Sequence, residues 1–596
     1  MNTIRAVVLL LAAATANLQA QSNPASVSLH LEKAPSVTGP WRALPADTLV
    51  ASPDGGFLDP VSPGGAFYRL RIDLTNAPGS SLEMPIEAVP PTVLEVAIEH
   101  LESLRAEEPD WTEARLAPLV TPVFDPAFHD GAEPAWFEFK VIPPPSAGLS
   151  LTNAADTFPQ SKPVAPSVGL GYILVSSGPH DQPVPRYATS GLTPTERLQL
   201  LAGPAAIARF VRYSGGFWVA ENAKGDPVAT SGVTPVSFPA ALLESAGASF
   251  NFEVADGQLL RQDDAPAAEP TPYASYQAFR EDYLHGPAFI RLREYQGAFA
   301  RLEWDLRQDQ LPPLVEVPVG ATVTVLPELT LRSADLEEDL ATLSVNPEGG
   351  LDVHGQTDGV SLLTLVLPDG RLDLRLLVVG QPRATIQPTG WTAWTTYRGP
   401  NCSEIPPYEQ ERNLAGCCTN GWSGCGPTAW AMFYGYWDHQ GVDGLVGPTT
   451  APTPWGNDAN VRELIQAVFA YTGTWCTGYQ SQAATDPWNM SYGYQWASDR
   501  GAGISLSSAW CVPYTSSSPR KKAVAAIRDH GRPAIVGTGY FEHYPIARAY
   551  RFRKKVIAGI TVKTQRQWKV NEGWGSSTCE WVSASGCWYG MNAYCY

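Results

Sequence analysis

Cys425 stands in Gly424-Cys425-Gly426-Pro427-Thr428-Ala429-Trp430, ahead of apolar residues at Ala429, Met432, Phe433, Tyr436 and Trp437. That spacing predicts a helix with one buried stripe, capped by Ser423 and with Pro427 in its first turn. A thiol at a helix start faces unpaired backbone N–H groups and the positive end of the helix dipole, both of which favour thiolate over thiol. The same N–H groups can hold a developing oxyanion, and each such donor is typically worth about 3 kcal/mol. The plainer alternative is that Cys425 is one half of a disulfide.

A thiolate nucleophile needs a base, and only His439, His530 and His543 follow residue 400. His439 lies about 20 Å along the helix axis from Cys425, at ~1.5 Å per residue, and cannot reach it. His530 reads as a helix C-terminal residue before Gly531. His543 follows the strand Pro533-Ala534-Ile535-Val536-Gly537 and opens another at Tyr544, a position from which a side chain can project into a cleft. A third group must orient the imidazole. Trp568-Lys569-Val570-Asn571-Glu572-Gly573-Trp574-Gly575 offers Asn571 at a strand end, with Trp574 to shield the contact. Glu572 is the alternative, although strand alternation points it to the other face. Taken singly, His543 could be a surface histidine and the Asn571–Gly575 segment a plain turn.

The order Cys425, His543, Asn571 resembles the triad of papain-like (clan CA) cysteine peptidases. The Gly-Cys-Gly-Pro-Thr-Ala around Cys425 is similar to the nucleophile segment of bacterial C39-like peptidases. Asn571-Glu572-Gly573-Trp574-Gly575 is similar to the Asn-x-x-Trp-Gly of papain and the Trp-Gly segment of streptopain. The resemblance covers residues 390–596, about a third of the chain. It implies a two-lobed α+β catalytic domain with the nucleophile helix in one lobe and His543 and Asn571 in a β lobe. It also implies hydrolysis of peptide bonds in a protein or peptide substrate, without cofactor or metal. Where papain has a glutamine for the oxyanion hole, this chain has Thr419; Asn420 or Gln410 could substitute, with Asn420 favoured. The stretch between His543 and Asn571 is longer than papain's and rich in Arg and Lys.

All nine cysteines lie after residue 400, so eight can pair and one is left over. Parity alone does not choose Cys425, because Cys417 and Cys418 are adjacent. Eight cysteines allow 105 pairings, and no Cys/His spacing fits a tetrahedral zinc site. Residues 1–20, with Arg5, the apolar run Ala6 to Ala16 and Leu18-Gln19-Ala20, read as a cleavable signal peptide, too short to span a membrane. Export to an extracellular or periplasmic compartment would let disulfides persist.

Ahead of the C-terminal region the elements change character. Residues 21–80 alternate apolar and polar like a small β module. Residues 84–265 read as an α/β domain. Its features are a capping box at Thr92/Glu95 before Leu94, Ala97, Ile98 and Leu101, a helix start at Thr193-Pro194-Thr195-Glu196, and a hairpin over residues 209–220. Its order and placement resemble the prosegment of streptopain-type peptidases. Residues 266–310 read as a helical connector, with Tyr273, Tyr276, Phe279 and Tyr283 at helical spacing. Residues 311–382 read as an immunoglobulin-like β-sandwich whose last hairpin turns at Asp369-Gly370 in a primed turn. A linker to Gly390 and a peptidase domain over 386–596 complete the expected multidomain order.

Charge is uneven. The formal net charge is −18, with +4 from Trp391 onward and −22 before it. An acidic upstream region docking on a mildly basic C-terminal region is one reading, and simple solubility is the other. The acidity argues against nucleic-acid binding. The functional expectation is a secreted, monomeric cysteine endopeptidase made as a zymogen, with residues 84–265 as an intramolecular prosegment cut away near 381–395. Its rivals are a non-catalytic surface binding protein on a papain-like scaffold and a cell-wall amidase of the same fold.

Overall fold

Two prolines set the start of the first described helix. Pro91 occupies its first turn and Pro90 its N-cap, so Thr92 lies inside the helix and cannot cap it. The buried stripe of Pro91–Arg105 is therefore Val93, Val96, Ala97, His100, Leu101 and Leu104, whereas Ile98 faces solvent. The structure is a computed structural model. It describes residues 26–34, 42–43, 50–51, 57–58, 67–75, 82–144, 169–231, 240–263, 273–327, 330–348, 350–380, 390–418, 421–446, 459–476, 483–557, 560–575 and 579–596. The expected signal peptide, Asn420 and residues 381–389 of the linker lie outside these.

The architecture is mixed α/β, and the chain divides into two units, Met1–Ser81 and Leu82–Tyr596. In the first, Ser26–Ala34 and Phe67–Thr75 pair antiparallel from Ser26↔Thr75 to Ala34↔Phe67.

In the second unit, Arg115–Phe124, Pro134–Ile142, Gly171–Ser176 and Arg186–Ala188 form successive antiparallel pairs. Thr193 caps the helix Pro194–Ala202 through a capping box with Glu196. Arg209–Arg212 pairs with Trp218–Glu221, and the turn between them runs from Tyr213 to Phe217. Two helices, Tyr276–His285 and Pro287–Arg307, occupy the expected connector.

Residues 314–379 form two sheets, one of four strands and one of three, with their apolar faces together. Their last hairpin differs from the expected primed turn. Leu367 N donates to Arg371 O at 2.9 Å, and of Pro368, Asp369 and Gly370 only Gly370 has positive φ (82°). This is a three-residue loop with a glycine bulge.

C-terminal to this come the strands Ile504–Cys511, Ala534–Gly537, Ile546–Ile557, Ile560–Asn571, Glu580–Ser583 and Tyr589–Cys595; the helices Cys425–His439 and Ser518–His530 pack on several of them, and Ala459–Tyr471 packs on Cys425–His439. Upstream strands extend these sheets. Arg186–Ala188 pairs with Glu580–Ser583 (Tyr187↔Trp581), and Ser249–Ala255 pairs with Ile504–Cys511 (Ser249↔Cys511). One apolar core holds Tyr213, Phe217 and Phe279 together with Trp430, Phe433 and Trp588. The expected boundary near residue 265 is thus crossed by backbone pairing and by the core. Among the described residues no helix is long and apolar enough to cross a membrane.

Candidate active site

Cys425 is the first residue of its helix. The chain enters through Gly424 at φ 86°, where a Cβ would lie 2.9 Å from the Ala483 carbonyl oxygen, so only glycine fits the approach. Ser423 does not cap the helix. Its Oγ accepts from Glu411 N at 3.0 Å, and the helix start has no side-chain cap. The first N–H groups are therefore left for another acceptor.

The thiol of Cys425 points to the carbonyl oxygen of Glu542 at 3.7 Å and lies near enough to the His543 imidazole to act on its charge. His543 is held by a short bridge, with Thr538 N donating to His543 O at 3.0 Å. Its Nε2 stands 2.6 Å from Oε2 of Glu572, off the line of the ring N–H, so the contact is an ion pair rather than an aligned hydrogen bond. Trp574 packs on the imidazole with ring centroids 5.6 Å apart.

The side chain paired with His543 is thus the carboxylate of Glu572 rather than the expected Asn571. Asn571 Oδ1 accepts from Gly573 N at 3.0 Å. The reason is where the strand stops. Ile560–Asn571 ends at Asn571, and alternation no longer governs the next residue. Asn420, the expected oxyanion donor, lies outside the described residues. His439 Nδ1 turns back to Gly435 O at 2.7 Å, and His530 ends its helix before Gly531 in the left-handed conformation; neither joins the site.

Electrostatics separate the two glutamates around His543. Burial opposes charge on the imidazole, but the Glu572 carboxylate and the Cys425 thiol together raise its pKa to about 10. Burial works against Glu572 as well, yet Arg186 and His543 hold its pKa below the ordinary value. Among the described residues no cation hydrogen-bonds Glu542, although the charges of His543 and Arg212 act on it as well. Burial raises it to about 7, although the Ser214 hydroxyl and Gly216 N–H bond it.

Sequence reading missed three contributors, all carried by or bonded to residues far upstream. Arg186 bonds Glu572. Ser214 Oγ donates to Glu542 Oε2, and Gly216 N donates to Glu542 Oε1 at 2.8 Å. A Cβ on Gly216 would come within 3.1 Å of His543 Cβ. Only the Gly-Gly pair was a visible signal, and it reads simply as a turn. His543 is 0 % exposed and Cys425 4 %, and this turn lies against His543. A cavity of about 1210 Å³ backs onto the same turn through Tyr213 and Ser214 and is also lined by Tyr540, but neither Cys425 nor His543 lines it.

Two disulfides, Cys402–Cys579 and Cys418–Cys476, take four cysteines. Cys417, Cys425, Cys511, Cys587 and Cys595 are unpaired, fewer bridges than eight pairing cysteines would give. Burial raises Cys587 to about 12, which makes it a poor nucleophile, and Cys417 to about 11. Among the described residues no group of three or more His, Cys, Asp or Glu is placed to hold a metal ion. Comparison with protein-family models, curated proteins and solved structures finds no match to this chain.

Proposed function

We propose that the chain is a cysteine peptidase of papain-like type, acting on protein or peptide substrates. The observation that carries this reading is a thiol at an uncapped helix start beside an imidazole that is itself paired with a carboxylate. Cys425 attacks the scissile carbonyl carbon, and its N–H, with others of the first helical turn, stabilises the oxyanion. His543, charged beside Glu572, donates its proton to the leaving amine. It then takes a proton from the water that releases the acyl group, and Glu572 keeps the ring in place throughout. The helix Cys425–His439 would belong to one lobe and the sheet around Ile546–Asn571 to the other.

The buried site supports synthesis in a closed, zymogen-like form. The strands shared between residues 82–265 and the C-terminal region favour opening by displacement of the Tyr213–Phe217 turn over loss of the whole upstream unit. The two disulfides support an oxidising, extracellular or periplasmic setting.

Complete burial of His543 also favours a second reading, a binding protein on a silent scaffold. Casein hydrolysis by the full chain, before and after limited proteolysis, separates the two. Activity that falls at least about 10³-fold in Cys425→Ala supports the peptidase. Activity that survives the substitution, or no hydrolysis in either form, removes it.

A further inference from the structure

Arg186 and Glu572 lie 386 positions apart in the chain, yet they meet in the interior. Arg186 sits on the short strand Arg186–Ala188, between Gly171–Ser176 and Glu580–Ser583. Its guanidinium reaches three acceptors in different directions. One terminal nitrogen bonds Glu572 Oε1, Nε bonds Glu580 Oε2 at 2.6 Å, and the other terminal nitrogen bonds Gly215 O at 2.7 Å. Glu580 is also held by Arg197 and by the Tyr172 hydroxyl, the latter at 2.6 Å. Arg186, Glu572 and Glu580 are all buried.

A buried carboxylate without a cation would turn to water or take up a proton. With Arg186 on Oε1, Glu572 presents Oε2 to His543 and stays charged. A planar fork fixes a carboxylate in a way that a lysine ammonium cannot.

On the reading of Cys425 and His543 as a catalytic pair, we propose that Arg186 is a positioning residue of the active site: it aims the Glu572 carboxylate at His543 from the upstream part of the chain. Residues 82–265 are then a working part of the enzyme. The groups facing His543 are Glu572, Glu542 and Cys425. Those facing Glu572 are Arg186, His543 and, one step away, Glu580.

The test uses the full chain and needs no substrate access. Thiolate ultraviolet absorbance is titrated against pH in the wild type, Arg186→Met, Arg186→Lys, Glu572→Gln and the double variant Arg186→Met/Glu572→Gln, with Cys425→Ser as the blank. Losing the aimed carboxylate weakens the imidazolium and so delays thiolate formation. The onset should move up by about one pH unit or more in Arg186→Met, and by a smaller amount in Arg186→Lys. The double variant should shift no further than Glu572→Gln alone, because both changes remove one interaction. A purely structural arginine would lower thermal stability and leave the onset in place.

If Arg186→Met does not fold, Arg186→Lys decides. Folded variants with an unshifted onset, or a double variant in which the two shifts add in full, overturn this proposal and leave the peptidase reading standing. A wild type with no Cys425-dependent thiolate at neutral pH overturns the peptidase reading itself.

Discussion

The two glutamates beside His543 have the same side chain and similar burial but different states. Glu572, at the end of the strand Ile560–Asn571, meets the Arg186 guanidinium and stays charged. Glu542, in the loop before His543, meets a hydroxyl and an N–H and is pushed up to about 7. The difference is the charge of the partner. On the proposed reading, a cation makes one glutamate fit to orient an imidazolium, and neutral hydrogen-bond donors tie the other to the Tyr213–Phe217 turn. Both partners come from the upstream part of the chain.

The largest effect expected from breaking this pairing is on hydrolysis. Glu572→Gln should lower peptide-bond cleavage by about a hundredfold or more, the usual scale for disabling acid–base assistance. The same variant should alter stability at alkaline pH. His543 is raised in the folded state, so its contribution is full below about 6.5 and lost as pH rises through about 10. Melting temperatures from neutral to alkaline pH should fall in the wild type and stay nearly level in Glu572→Gln. A parallel fall in both would place the charge of His543 elsewhere.

Next in size is the tie to that turn. Glu542 is also raised in the folded state, so the stability it lends is full below about 4.5 and lost as pH rises through about 7. Two to three pH units correspond to a loss on the order of 3 kcal/mol. Glu542→Gln, which keeps the shape of the protonated acid, should remove that slope from a thermal melt series over the same window.

How much of this was legible in the sequence depends on the range of each contact. Cys425 at a helix start could be read locally, because apolar spacing and small flanking residues set that element. His543 emerged by elimination among three histidines. Glu572 was seen but set aside, because alternation was extended one residue past the strand that obeys it. Arg186 carried no local signal, since its role exists only when Arg186–Ala188 lies beside Glu580–Ser583. Element types followed from the pattern, whereas domain separability did not: periodicity does not say which strand an edge will meet.

Two smaller experiments sharpen the contrast. Gly216→Ala adds a methyl that would sit 3.1 Å from His543 Cβ. Overpacking of about 1 kcal/mol should loosen the turn and raise the alkylation rate of Cys425 roughly fivefold. An unchanged rate would mean that another element gates the thiol. Asn571→Ser should weaken the hydrogen bond from Gly573 N, a change on the order of 1 kcal/mol, and alter hydrolysis by less than about tenfold. A loss as deep as that of Glu572→Gln would return the orienting role to Asn571.

The Arg186–Ala188 and Ser249–Ala255 strands leave the ribosome long before Glu580–Ser583 and Ile504–Cys511, the strands they complete. During synthesis the later sheets therefore grow onto edges already waiting for them. A shortened chain starting at residue 386 would carry two bare edges with no template, and such edges invite self-association.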